Sequence, residues 1–329
     1  MIRRRQFLAC TVSLACAAVW SVSAQAEASA TAFPSRPVHL VLGSPAGSSV
    51  DVLARLLAEK ISATLGQPVV VENRVGATGT IATAHIAKAA PDGYRVLLQH
   101  SGAFTNSILS KSVQYNVLND FTPISFVTIS PLVLIAGPGL QAETLEEVIE
   151  LAKNDPGKLT YGSEGTGGTS HVATELFSQL AGIKMTHVPY KSGFYSTSAV
   201  ASGEINMAFA STTSILPLLK AGKYRALAVG TKERSPLLES VPTVHESGAP
   251  GFDQAAWFGF VGPAGMDDAV VEKLHGAISE AAQHPEVVSS LNAQGMQVRL
   301  MGPQQFAAYL EQFAGEIKRV ADTAGISLD

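Results

Sequence analysis

The stretch that decides the fold is residues 38–65, VHLVLGSPAGSSVDVLARLLAEKISATL. It opens with a run of five residues, four of them apolar, which is typical of a short buried strand. A loop rich in glycine, serine and proline follows. From residue 50 the apolar residues recur every three or four positions, which predicts an amphipathic helix that ends before Gly66. This order of strand, loop and helix is the repeating unit of parallel sheets covered by helices.

The same alternation continues along the chain and predicts an α/β fold. Further strands are predicted at residues 69–71, 95–99, 132–136, 159–162, 185–188, 207–210, 225–229 and 257–261. Further helices are predicted at residues 80–90, 144–154, 169–181, 213–221, 267–283, 285–293 and 303–324. The strand at 257–261 is expected to return to the first sheet. Because no Ser/Gly-rich linker separates the halves, we expect two lobes joined by strands, each a sheet flanked by helices.

The first 26 residues have the pattern of a secretory signal peptide. Arg3, Arg4 and Arg5 precede an uncharged apolar stretch that closes with small residues. The pattern predicts export to the periplasm, with cleavage near Ala24 or Ala26. The Arg4-Arg5 pair before an apolar run leaves Sec and twin-arginine export open.

Composition excludes several classes of protein. The chain is 46% hydrophobic and only 15% charged, which argues against intrinsic disorder. Removal of residues 1–26 takes away three arginines and changes the formal net charge from −4 to −7, so nucleic-acid binding is not expected. Both cysteines, Cys10 and Cys16, lie in that segment. The eight histidines lack the spacing of a metal site, so neither a metal nor a cofactor is predicted.

Polar loops follow five predicted strands, and ligands of open α/β sheets bind beyond the carboxyl ends of the strands. These loops span residues 43–51, 99–102, 161–171, 189–193 and 211–214. Where such a loop leads into a helix, the first N–H groups lack partners and favour negative charge. Lys191 is the single permanent cation across the five loops. The loops therefore predict a site that holds a small carboxylate mainly with neutral donors.

Two other hypotheses use the same loops. A hydrolase would use Ser163 or Ser101 as nucleophile and His171 or His100 as base. Residues 162–165 do not have the G-x-S-x-G spacing, and nothing in the sequence marks an acid that would orient the base. A ligand-loaded partner of a membrane sensor kinase would share the carboxylate site and differ only in its membrane partner.

Many segments carry a resemblance to a known family, and they extend over essentially the whole chain after the signal peptide. They are residues 65–74, 89–94, 119–123, 156–163, 187–191, 222–228, 241–244, 257–259 and 263–265. In these segments the chain resembles the substrate-binding receptors of tripartite tricarboxylate transporters, the Bug family of periplasmic solute receptors. The resemblance implies a two-lobed periplasmic binding protein of the Venus-flytrap, type II-like kind, not an enzyme, which delivers a small organic acid to membrane permease subunits.

The resemblance and the loops together define the expected lobes and site. Lobe 1 is expected to comprise residues 27–130 and 254–329, and lobe 2 residues 131–253. We expect a monomer. The candidate ligand-binding residues are Pro45, Ala46, Gly47, Ser48, Ser49, Asp51, His100, Ser101, Gly102, Ser163, Gly165, Thr166, Gly167, Gly168, Thr169, Tyr190, Lys191, Ala210 and Ser211.

Two departures from the family pattern bear on the ligand. Ala210-Ser211 stands where relatives usually have Asp-Asn, which removes a partner for an ammonium group and disfavours an amino-acid ligand. Phe194 and Tyr195 stand where relatives usually have Ala and Pro. The second departure is the basis of a hypothesis that the ligand is an aromatic or apolar carboxylate.

Overall fold

The computed structural model describes residues 33–328, so the predicted signal peptide lies outside the described residues. The strands are β1 (Val38–Leu42), β2 (Val69–Asn73), β3 (Arg95–His100), β4 (Phe121–Ala136), β5 (Thr160–Ser163), β6 (Thr186–Pro189), β7 (Met207–Ser211), β8 (Arg225–Val229), β9 (Ala255–Pro263) and β10 (Gln297–Met301). The α-helices are α1 (Ser49–Leu65), α2 (Thr80–Ala87), α3 (Ser101–Leu109), α4 (Leu145–Asn154), α5 (Thr169–Ala181), α6 (Gly193–Ser202), α7 (Thr212–Lys220), α8 (Asp268–Gln283), α9 (Pro285–Ala293) and α10 (Pro303–Ala324). Within this range, no helix has the length and apolar character needed to span a membrane.

Two sheets share the long strand β4. In the first sheet, β2, β1 and β3 are parallel, and β3 is followed by antiparallel β9, β4 and β10. In the second sheet, β4 pairs antiparallel with β7 and β8, and β7, β5 and β6 are parallel. Each sheet is therefore a parallel set of strands joined to the rest of the molecule by antiparallel pairing.

Strand β4 changes partners midway along its length. Residues 121–131 pair with β9, and from Leu132 the strand pairs with β7 and β8. Strand β9 returns from the second sheet to lie between β3 and β4, as the sequence predicts. The chain thus passes between the two lobes in extended strands, which fits the α/β two-lobed class expected from the sequence.

Side chains on β4 alternate between two apolar cores. Val133 and Ile135 belong to a core with α6 and α7, whereas Leu132 and Leu134 face the opposite side of the sheet. This alternation follows from the two-residue period of a strand. Because both faces of β4 are buried in this region, the sequence here is a nearly continuous apolar run.

Four elements are missing from the sequence prediction. The first part of β4 lies outside the predicted strands, and Pro123 and Pro131 interrupt its pattern, since proline is rare in interior strands. Helices α3 and α6 are rich in serine, threonine and glycine, which mask their apolar periodicity. Strand β10 contains only five residues and pairs with β4 at an irregular register.

Candidate functional site

All five predicted loops lead from the carboxyl end of a strand to the N-terminus of a helix. They connect β1 to α1, β3 to α3, β5 to α5, β6 to α6 and β7 to α7. Side chains cap the first two helices, because Ser48 accepts the N–H of Asp51 and His100 accepts the N–H of Ala103. The positive ends of five helix dipoles are therefore placed at strand ends in both sheets.

Helices α3 and α5 meet where the two lobes come together. A methyl group added to Gly102, in the first turn of α3, would lie 3.7 Å from Thr169 Oγ1, at the start of α5. Leu109 of α3 approaches the same loop, 3.2 Å from the position of a methyl group on Gly167. The first turns of two helices that follow strands of different sheets therefore lie side by side, and each helix N-terminus favours negative charge.

The loop after β1 packs against the loop before α2, which in turn packs against His100 at the start of α3. A Cβ at Gly43 would lie 2.6 Å from Cα of Gly79, and a Cβ at Gly79 would lie 3.2 Å from His100 Nε2. Glycine at positions 43 and 79 therefore lets the backbone of the two loops touch beside the start of α3. The structure brings three first-sheet loops to the place where α5 arrives from the second sheet.

Asp51 organises the first loop. Its carboxylate accepts hydrogen bonds from the Gly47 N–H, from Asn73 Nδ2 and from Arg55 Nε, each at 2.9 Å. These donors, chiefly Arg55, hold the pKa of Asp51 well below its usual range although the residue is only 3% exposed. The sequence predicts that Asp51 contacts the ligand, but its oxygens are occupied, so its geometry is that of a positioning residue.

The loop after β5 also satisfies most of its own N–H groups. The N–H of Gly165 is bonded to Ser163 Oγ, that of Gly167 to His171 Nδ1 and that of Gly168 to the carbonyl of Gly165. The sequence predicts that these three glycines bind the ligand, but their N–H groups are already bonded within the loop. The N–H of Thr166 has no backbone acceptor among the described turns and loops, and that of Thr169, the first residue of α5, has no acceptor within the helix, so both are candidate donors of this loop.

The first turn of α3 has two available donors. Ser101 and Gly102 are the first two residues of the helix, so the helix itself provides no acceptor for their N–H groups. The Ser101 side chain is buried, and its Oγ accepts the N–H of Trp257 at 3.4 Å. The ring of His100 is neutral, because its Nδ1 accepts a backbone N–H and burial lowers its pKa to about 4. The backbone of this turn, rather than its side chains, is therefore free to bind.

A stack of three rings supports the second-lobe loop. The rings of His171 and His187 lie 3.8 Å apart and nearly parallel, and Tyr161 lies 5.0 Å from His187. His187 Nε2 is 2.7 Å from Ser163 Oγ, and His171 Nδ1 accepts the N–H of Gly167 at 3.0 Å. Burial, and secondly the neighbouring His187, lower the pKa of His171 to about 4. His171 and His187 therefore hold the loop after β5 in place through hydrogen bonds to Gly167 and Ser163.

The stack predicts a loss of stability in acid. His171 is 5% exposed, and its folded pKa lies below the unfolded value of 6.5, so its contribution is complete above pH 6.5 and is lost as pH falls towards 4. Between pH 7 and 4.5 the free energy of unfolding should fall by about 2 kcal/mol because of His171. Urea unfolding at both pH values measures this. His171→Asn keeps an acceptor for the Gly167 N–H but does not titrate, so its free energy of unfolding should fall by about 2 kcal/mol less than that of the unaltered protein over the same pH range. If the variant shows the same pH dependence as the unaltered protein, His171 is not the cause of the loss.

The remaining predicted residues lie in other surroundings. Tyr190 and Lys191 border an open groove of about 650 Å³ beside α6, where the Tyr190 hydroxyl donates to Glu204 at 2.9 Å. Ala210 is buried, and the Ser211 hydroxyl donates to Ser214 at the start of α7. No described contact joins these four residues to the first sheet's loops, so their assignment to the site stays a prediction.

The aromatic departures also lie at the surface. Phe194 is 70% and Tyr195 56% exposed, and their rings form an edge-to-face pair at the start of α6. Tyr195 borders the same groove as Lys191. Large exposed rings are available to a ligand or partner. In the described chain, however, no contact joins Phe194 or Tyr195 to the place where α3 meets α5.

Neither Ser–His pair of the hydrolase hypothesis forms. Ser163 is bonded to His187 rather than to His171, and it is 1% exposed. Ser101 is bonded to Trp257, and His100 caps α3. No carboxylate is bonded to His187 in the described residues. In the same residues, no cluster of three or more histidine, cysteine or acidic side chains has the geometry of a metal site.

The fold and these loops define a two-lobed binding protein of the periplasmic class, and comparisons with known proteins give its family. Residues 53–326 match the family described as tripartite tricarboxylate transporter family receptor, and the chain belongs to this family. It is 36% identical to Protein BugT of Bordetella pertussis over 298 residues, which are 90% of each chain.

Solved structures of similar proteins agree with this assignment. A structure of Rpa4515 of R. palustris with adipate superposes with a TM-score of 0.76 at 32% identity, covering 90% of this chain and 99% of that one. MatC from Rhodopseudomonas palustris, with bound malate, gives a TM-score of 0.72 at 30% identity, covering 88% and 99%. The predicted family and fold class are therefore confirmed.

Proposed function

We propose that this chain captures a small organic carboxylate in the periplasm and delivers it to the membrane subunits of a tripartite transporter. The observation that carries the proposal is the contact between the first turns of α3 and α5, two helices that follow strands of different sheets. Residues 27–130 with 254–329 would form one lobe and residues 131–253 the other, which is supported by the change of β4 partners after Pro131. The lobes would close on the ligand and exclude water.

The available donors are sufficient for useful affinity. Ser101, Gly102, Thr166 and Thr169 offer four backbone N–H groups. A hydrogen bond to a charged group contributes about 1.5–3 kcal/mol, so four contribute about 6–12 kcal/mol before the cost of association. Micromolar binding requires about 8 kcal/mol. A carboxylate could therefore be held without an arginine partner, as the neutral loops suggest.

The relatives support the ligand class and the location. Similar proteins have been solved with adipate and with malate, both of which are carboxylates. The basic and apolar pattern of residues 1–26 supports export and cleavage near Ala24 or Ala26. We expect the mature receptor to act as a monomer, without metal or cofactor, and to bind no nucleic acid.

A panel of acids tests the ligand class. Protein comprising residues 27–329 is mixed with malate, adipate, citrate, hexanoate, benzoate or glutamate, and its thermal unfolding is recorded. At a ligand concentration 100 times the dissociation constant, binding stabilises the fold by about 2.7 kcal/mol, which raises Tm by several degrees. At least one carboxylate should do so, and the matching amide should not. If none of the acids changes Tm, the proposal is contradicted. If citrate or glutamate raises Tm but benzoate and hexanoate do not, the hypothesis of an aromatic or apolar ligand is excluded.

The two alternative functions, a partner of a sensor kinase and a hydrolase, require different tests. A partner of a sensor kinase would bind the same acids, so only the identity of the membrane partner separates it from a transport receptor. A hydrolase would turn over an ester and lose that activity on Ser163→Ala. The burial of Ser163 and its bond to His187 favour the receptor over the hydrolase.

A further inference from the structure

Glu164 places a negative charge at the start of α5. Its Oε1 accepts the N–H of Ser170 at 3.0 Å, and its Oε2 accepts the Ser170 hydroxyl. A Cβ on Gly168 would lie 2.6 Å from Oε1, so the carboxylate lies directly against the first turn of the helix. The sequence alone does not single out Glu164, because it stands among glycines and threonines without a recognised spacing.

No cation neutralises this carboxylate. Glu164 forms no ion pair in the part of the chain that the structure describes, and its hydrogen bonds there are to Ser170. Asp51, the other acidic residue of the loops, is by contrast buried and bonded to Arg55. Glu164 is therefore the acidic residue of the five loops that has no ion-pair partner in the described residues.

The two facing helix ends thus differ. The α5 end already has an anion of its own, and the α3 end, at Ser101 and Gly102, has none. A ligand carboxylate between the two ends is drawn towards Ser101 and Gly102, where it still lies beside Thr169, because a methyl group on Gly102 would lie 3.7 Å from Thr169 Oγ1. A second carboxylate that extended towards α5 would meet Glu164, and like charges separated by a few ångströms repel strongly where water is excluded.

We propose that Glu164 selects acids that carry one carboxylate and whose far end is uncharged or cationic, and that it disfavours dicarboxylates. This inference rests on the proposed function and specifies the ligand class of the same site. It also separates this chain from the relatives solved with the dicarboxylates adipate and malate.

Three acids of equal length isolate the charge at the far end. Hexanoate ends in a methyl group, adipate in a carboxylate and 6-aminohexanoate in an ammonium group. Calorimetric titration of residues 27–329 should give adipate a dissociation constant at least about tenfold weaker than that of hexanoate, equivalent to about 1.4 kcal/mol. The affinity for 6-aminohexanoate should be equal to that of hexanoate or higher.

Variants of Glu164 distinguish charge from shape. Glu164→Gln keeps an acceptor for the Ser170 N–H but removes the charge, so it should improve adipate binding about tenfold and change hexanoate binding less than about threefold. Glu164→Asp keeps the charge and should keep the discrimination. Glu150→Gln, which removes an exposed charge from α4, should change none of the three affinities. Thermal unfolding verifies that each variant is folded.

The outcomes separate this inference from the proposed function. If the unaltered protein binds adipate as tightly as hexanoate, or if Glu164→Gln changes all three affinities equally, the selectivity assigned to Glu164 is wrong and the receptor function stands. If the folded protein binds none of these acids and none of the wider panel, the carboxylate receptor itself is contradicted.

Discussion

Replacing Gly102 by leucine is expected to weaken ligand binding at least about 100-fold, a loss of about 2.7 kcal/mol, while the protein stays folded. Gly102 lies where α3 faces α5, and even a methyl group there would lie 3.3 Å from His100 Nδ1 and 3.7 Å from Thr169 Oγ1. A leucine side chain would extend further and hold the lobes apart. Its backbone is not in the left-handed region, so the substitution adds no backbone strain.

Calorimetric titration with the acid that gives the largest thermal shift measures this loss. Gly276→Leu is the matched control, because Gly276 lies on exposed α8 and a Cβ there meets nothing within 4 Å. The control should bind normally. Equal affinities for the two variants would mean that the ligand does not bind between α3 and α5.

Replacing Asp51 by alanine is expected to cost about 3 kcal/mol of folding free energy and to lower Tm by roughly 5–10 °C. The substitution removes the acceptor of the Gly47 N–H, of Asn73 and of Arg55 from a buried position. The loop after β1 then loses its shape, so ligand affinity should fall at least about tenfold, or 1.4 kcal/mol. Urea unfolding and calorimetric titration measure the two effects.

Arg55→Ala measures the contribution of the Asp51–Arg55 ion pair apart from the hydrogen bonds that Asp51 accepts from Gly47 and Asn73. The Arg55 side chain is 54% exposed, and exposed pairs contribute little, so this variant should lose less than about 1 kcal/mol. The pKa of Asp51 is held below its usual range, so its contribution is present at neutral pH and is lost as pH falls below the ordinary range of aspartate. If Arg55→Ala were as destabilising as Asp51→Ala, the organising role of the carboxylate would be wrong.

Elements with a strong apolar period could be predicted from sequence. The strand at β1 and the helix α1 agree with the prediction to within one residue, because their apolar residues occupy one face and Gly66 ends the helix in a left-handed conformation. The first part of β4 and helix α6 could not be predicted so easily. Their tertiary contacts, rather than their local pattern, determine their structure, and proline or serine residues obscure the pattern.

The positions of the loops between strands and helices could be predicted, but which of their N–H groups are already bonded within the chain could not. Strand ends that lead into helices indicate where a ligand binds. Whether an N–H group is free depends on side chains that return from elsewhere, as His171 does for Gly167 and Asp51 does for Gly47. Such pairings become visible only in three dimensions, and they reduce the predicted contacts of the loop after β5 to Thr166 and Thr169, which the sequence also predicts.

The central claim is that backbone N–H groups from both sheets bind one carboxylate. Titration of ¹⁵N-labelled protein with the best acid of the panel, followed by amide chemical shifts, tests it most directly. We predict large shifts at Ser101 and Gly102 and at Thr166 and Thr169, all with one dissociation constant. Shifts confined to one sheet, or two sets of shifts with different dissociation constants, would contradict the account.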